Sequence, residues 1–83
     1  MTGAPVKRSV TIAGHRTSIS LETQFWDALG EIARAQGRSV NGLIAEIDAA
    51  RPEGGKQAIG LSSAARLHVL AWYRDRAQTD FLI

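Results

Sequence analysis

Eighty-three residues and 8.9 kDa leave room for one small domain, and a chain of this length buries only about 60% of the surface its unfolded form exposes. With 45% hydrophobic and 22% charged residues it is neither collagen-like nor wholly disordered, and the lack of cysteine excludes a disulfide framework and a thiolate zinc site. The formal charge is only +2 with a pI near 9.7, yet it is unevenly spread: residues 1–21 carry Lys7, Arg8 and Arg16 and no acid, whereas residues 22–50 set Glu22, Asp27, Glu31, Glu46 and Asp48 against Arg34 and Arg38.

From Lys7 to Leu21 the chain is rich in β-branched residues and alternates apolar with polar, a strand signal interrupted at Ala13-Gly14. Val10 and Ile12 share one parity and Thr17, Ile19 and Leu21 another, so the Gly14 region is either a turn between two short strands or a bulge that resets the alternation. The run Arg16 to Ser20 is the firmer strand. The earlier run 8–13, with Arg8, Val10 and Ile12 on one face and Ser9, Thr11 and Ala13 on the other, is the alternative ribbon.

At Glu22 the period changes. Phe25, Ala28, Leu29, Ile32, Ala33 and Gln36 trace one helical face that stops at Gly37, a C-cap residue. Ser39 offers an N-cap oxygen to a second helix, with Val40, Leu43, Ile44 and Ile47 as its apolar stripe, ended by Arg51-Pro52. Only Gly37-Arg38-Ser39 separates the two, so they fold sharply on each other. Gly30 in the interior of the first helix points to close helix approach. Residues 52–60 read as a polar linker. A third helix starts at Leu61 and runs to about Arg76, apolar nearly all round, and the chain closes on Phe81-Leu82-Ile83. The organisation expected is therefore an N-terminal basic arm or extra strand over 1–15, a core over 16–51, the linker, and a third helix with an apolar tail over 61–83.

A lone strand leaves its N–H and C=O groups without a ladder. Pairing Arg16 to Ser20 antiparallel with the same strand of a second copy supplies one, lays Thr17, Ile19 and Leu21 over the helices and turns Arg16, Ser18 and Ser20 outward. The strand-helix-helix order and the hexad Gly37-Arg38-Ser39-Val40-Asn41-Gly42 resemble the ribbon-helix-helix family of DNA-binding proteins, of the Arc and MetJ kind, over Arg16 to Ala50. The N-terminal extension and third helix resemble a bacterial branch of uncharacterised domains. The resemblance implies a mainly α fold with a short β-ribbon, an intertwined homodimer with a core of Ile19, Leu21, Phe25, Leu29, Ile32, Val40, Ile44 and Ile47, and a third C-terminal helix.

It also implies double-stranded DNA as partner and a role as a sequence-specific transcriptional regulator, a repressor in kind. Arg16, Ser18 and Ser20 are then the candidate base contacts, with most discrimination resting on Arg16, whose guanidinium matches guanine O6 and N7. Candidate phosphate contacts are Lys7 and Arg8 as an arm, and the helix-two N-terminus at Ser39, Val40 and Asn41, where free backbone N–H groups meet the positive end of the helix dipole. Trp26, Leu70, Trp72, Tyr73, Phe81 and Leu82 are candidates for a higher-order interface that would join dimers into a tetramer. Two readings compete: a protein-interaction module of antitoxin or adaptor type on the same dimer, and a sequence-indifferent architectural DNA binder.

His15 lies at the ribbon's edge, and His68 reads as a helix residue with a satisfied nitrogen. No Cys/His pair, nucleophile elbow or helical metal pair occurs, so neither an enzyme, a metal nor a cofactor is expected. No run reaches the roughly 18 apolar residues of a membrane span and no apolar block precedes a cleavage site. The expected compartment is the cytoplasm.

Overall fold

The structure, a computed structural model, describes residues 3–51 and 59–82, the side chains of 79–82 excepted. In chain order it comprises β1 (Val6–Ile12), β2 (His15–Leu21), α1 (Thr23–Ala35), α2 (Val40–Ala49) and α3 (Leu61–Leu82).

The two strand runs that the sequence left as alternatives are both strands, paired with each other. β1 and β2 form an antiparallel hairpin with Ile12 opposite His15, Val10 opposite Thr17, Arg8 opposite Ile19 and Val6 opposite Leu21. Between them Ala13 and Gly14 both lie in the left-handed region, at φ +52° and +79°, the signature of a type I′ turn, whose twist suits a two-residue hairpin. The interruption is thus a turn and not a bulge, and the ladder that the sequence argument sought in a second chain is supplied within this one. Opposite residues share a face, so the two apolar parities converge: Val10, Ile19 and Leu21 are buried on the helix side and Ile12 is half-buried there. Thr17 shares that face but is exposed.

Glu22 is the N-cap of α1 without capping through its own side chain. At the other end Gly37 takes φ +67°, which lets Arg38 N–H reach Ala33 O at 3.0 Å and Gly37 N–H reach Arg34 O at 3.1 Å, a Schellman closure. Ser39 then caps α2, its Oγ accepting from Gly42 N–H at 2.9 Å.

Helix α3 lies alongside α1. Arg66 donates to both oxygens of Glu22 at 3.0 and 3.1 Å, and the Tyr73 hydroxyl donates to Glu31 at 2.7 Å. The partners ascend together along both helices, so the two run in the same direction. Arg51 joins the end of α2 to the start of α3, with its guanidinium on Asp48 and on the Ile59 carbonyl at 2.7 Å. Residues 52–58, most of the expected linker, lie outside the described set.

The core gathers Val10, Ile19 and Leu21 from the hairpin, Trp26, Leu29, Ile32 and Ala33 from α1, Leu43, Ile44 and Ile47 from α2, and Ala64, Ala65 and Val69 from α3. Most residues assigned to a dimer core therefore pack inside one chain, with Phe25 and Val40 at its margin.

The fold refines or corrects four expectations. Trp26, read as a core or interface aromatic that a second dimer could cover, belongs to the core: it is only 5% exposed because β1 covers it, and its indole N–H donates to Val6 O at 2.9 Å. At Gly30 a methyl group would meet nothing within 4 Å, so close approach of another element of this chain is not its reason. His68 Nε2 is buried and, among the described residues, has no hydrogen-bond partner to satisfy it. Finally, α3 continues beyond Arg76 to Leu82; it carries apolar residues on its solvent side too, where Leu67, Leu70 and Tyr73 are exposed, while Trp72 is half-buried with Arg76 over its ring. The side chains of Phe81 and Leu82 lie outside the described set.

Candidate nucleic-acid interface

The hairpin register builds the site. On the face turned away from the helices Thr11 stands opposite Arg16, Ser9 opposite Ser18, and Lys7 opposite Ser20. All six side chains are polar, two are cationic and none is acidic. All are exposed except the half-buried Ser20. Arg16, Ser18 and Ser20 form one row of this face and Lys7, Ser9 and Thr11 the other. Lys7 is thus part of the sheet surface and not an arm leading up to it.

Arg8 parts company with Lys7. It lies on the helix side of the sheet, with its guanidinium 4.9 Å from the centre of the Trp26 ring. A cation held over an indole keeps part of its charge engaged within the chain. His15 is exposed beside the turn, opposite Ile12.

The helix-two N-terminus is fastened to the edge of β1. Asn41 Oδ1 accepts from Thr11 N–H at 2.9 Å, and Asn41 Nδ2 donates to Thr11 O at 2.8 Å. The carboxamide thereby pairs with Thr11 as another strand would. In a two-residue hairpin the pair closing the turn exchanges ladder bonds and the next pair does not, so Thr11 turns both groups outward, where Asn41 meets them. The start of α2 therefore sits beside the residue that faces Arg16. Ser39 Oγ takes Gly42 N–H, while the backbone N–H groups of Val40 and Asn41 belong to the open first turn, where a helix leaves donors for an anion. Arg38 does not extend this donor set, because its guanidinium is committed to Glu46 and to the Gly42 carbonyl at 2.9 and 2.8 Å.

Elsewhere Arg38 pairs with Glu46, Arg51 with Asp48 and Arg66 with Glu22. The Glu22 carboxyl is held below its ordinary range, first by a backbone hydrogen bond and then by Arg66, and the bond that Tyr73 donates to Glu31 raises the phenol above its ordinary value. Among the described residues no group of three or more His, Cys, Asp or Glu side chains is placed to hold a metal ion, and no helix is long and apolar enough to cross a membrane.

Sequence reasoning missed Ser9 and Thr11 as members of the same face as Arg16, and the strand-like role of the Asn41 side chain. The first was within reach, since a two-residue turn at Ala13-Gly14 fixes which parities share a face. The second had no sequence signal.

The model of the ribbon-helix-helix domain family matches residues 5–73. No curated protein and no solved structure matches the chain.

Proposed function

The chain belongs to the ribbon-helix-helix domain family, and on that premise we propose that it is a sequence-specific DNA-binding transcriptional regulator that acts as a homodimer and lays the outer face of its hairpin into the major groove. The observation that carries the reading is the composition of that face: Lys7, Ser9, Thr11, Arg16, Ser18 and Ser20, polar or basic throughout. The groove, about 12 Å wide, admits a two-stranded ribbon, and alternate residues of a strand meet successive base edges. Arg16 supplies the discriminating contact and Ser18 and Ser20 adaptable ones. The first turn of α2, tied to β1 through Asn41, offers Val40 and Asn41 N–H groups to a phosphate and so sets how deep the ribbon sits. Lys7 joins as a phosphate contact. Arg8, engaged with Trp26, stays outside the set.

Selection from random duplexes, followed by titration at two salt concentrations, tests this. A palindromic consensus supports the regulator. Salt-steep binding without a consensus transfers the assignment to an architectural binder.

A second reading has its own observation. Leu67 and Leu70 are 55% and 51% exposed on α3, and Leu67 borders a groove of about 250 Å³ shared with Ile47, Ile59, Ala64 and His68. An apolar surface of this kind suits a protein partner, as in an antitoxin or adaptor. The absence of duplex binding at moderate salt would favour it.

A further inference from the structure

Three groups stand in a row across the hairpin. Arg16 on β2 faces Thr11 on β1, with both side chains exposed on the outer face. On the far side of Thr11 the Asn41 carboxamide occupies both of its backbone groups. Moving sideways from Arg16 therefore leads through Thr11 to the first turn of α2. Arg16 forms no ion pair, and the Thr11 side chain no hydrogen bond, among the described residues. The two form a non-hydrogen-bonded pair, whose Cβ atoms lie about 4.5–5.5 Å apart. Threonine is stiff at χ1, and with its backbone fastened at two points its methyl group has a fixed place beside the guanidinium.

We propose that Thr11 is a specificity-determining residue that reads a thymine, its methyl group packing against the C5-methyl in the base pair next to the guanine taken by Arg16. The inference rests on the DNA reading and deepens it: each half-site carries a guanine and a thymine in neighbouring pairs, read from the two strands of one hairpin. The order of the row chooses the target. With Arg16 on a guanine and the first turn of α2 on a phosphate, Thr11 lies over the base edges between them. In the major groove the C5-methyl is the outermost feature of a thymine edge, beside the phosphates of its own strand, and it is the one methyl group among the base edges.

Reach and chemistry agree with that order. A short side chain beside a long arginine meets only what projects from the groove wall, and the thymine methyl projects. Ser9, Ser18 and Ser20 share the short reach but bring no methyl to bury against it. The cytosine paired with a guanine carries no C5-methyl, so the thymine belongs to a neighbouring base pair. That pair lies one step of about 3.4 Å away, within the separation of the two side chains.

Deoxyuridine lacks only the C5-methyl of thymine, which makes it the probe. In the duplex that selection yields, each thymine of one half-site is replaced in turn. One replacement, next to the guanine whose preference Arg16→Ala abolishes, should weaken binding by the parent chain about fourfold, the worth of one buried methyl group. Thr11→Ser should bind the unmodified duplex about fourfold more weakly and lose nothing further with that deoxyuridine. Thr11→Val, which keeps a methyl group, should remain sensitive to it. A disturbed fold would not confine its effect to one thymine, so the position of the loss separates reading from structure. Indifference of the parent chain to every replacement overturns the proposal, as does a Thr11→Ser chain that still senses the same methyl. Selection separates the two claims. With no selected duplex the DNA reading ends and the role of Thr11 with it, whereas a selected duplex whose thymine methyls count for nothing keeps that reading and ends only the role of Thr11.

Discussion

Asn41 holds Thr11 by both of its backbone groups, at 2.9 and 2.8 Å, across thirty residues of chain. This contact determines where the first turn of α2 stands relative to the hairpin, and hence whether a phosphate clamp and a base-reading strand can act together. Replacing Asn41 with Ala leaves two solvent-accessible strand groups unpaired and should cost about 1 kcal/mol of stability, visible as a lower denaturation midpoint. It should also speed hydrogen exchange at the Thr11 amide. Unchanged exchange at Thr11 would show that the contact does not persist in solution.

Arg16→Ala and Lys7→Ala should fail differently. Loss of Arg16 removes about 1 to 3 kcal/mol of discrimination between a selected duplex and its scrambled form. Loss of Lys7 lowers affinity for both duplexes alike and reduces the slope of log K against log salt by about 1. Binding isotherms on the two duplexes at several salt concentrations read both effects.

Ala13 carries a positive φ that favours glycine, asparagine or aspartate. An L-residue pays on the order of 1 kcal/mol there. Ala13→Asn should therefore raise stability by about half of that or more without altering the register, as thermal denaturation would measure.

The Glu22 carboxyl is held below the ordinary carboxylate range by its backbone hydrogen bond first and by Arg66 second. A depressed folded-state pKa contributes stability that is present above the unfolded value and is lost as pH falls through the folded one. Urea midpoints should accordingly decline as pH drops below about 4.5. Arg66→Gln should shrink that decline without abolishing it, since the backbone bond remains. An identical pH profile in the variant would contradict the assignment to Arg66.

Gly30 lies inside α1 with open space around it. Gly30→Ala should stabilise the protein by up to about 1 kcal/mol, the difference in helix propensity. A loss of stability would mean that a second chain occupies that space.

The helices were legible because their signals are local. The Phe25, Leu29, Ile32 stripe, the positive φ at Gly37 and the Ser39 cap each follow from residue type at a fixed spacing. The outward row Arg16, Ser18, Ser20 was equally open to alternation. The hairpin was legible only as one of two alternatives, because Ala13-Gly14 lacks the asparagine or aspartate that announces a type I′ turn. What covers Trp26 was open for the same reason: without β1 beside β2, the sequence does not choose between this chain's core and a second dimer. The Asn41 to Thr11 contact joins two segments thirty residues apart, and no periodicity encodes it. His68 Nε2, buried without a partner among the described residues, reflects packing between helices that their order alone does not fix.

The central claim is that the outer face of the hairpin and the start of α2 meet DNA. Amide chemical shifts followed by NMR while a selected duplex is added test it most directly. Residues 7–11, 16–20, 40 and 41 should move first and furthest, while Leu67, Leu70 and the rest of the exposed side of α3 stay in place. Shifts concentrated on α3 and the groove beside Ile47, with the hairpin unmoved, would contradict the account.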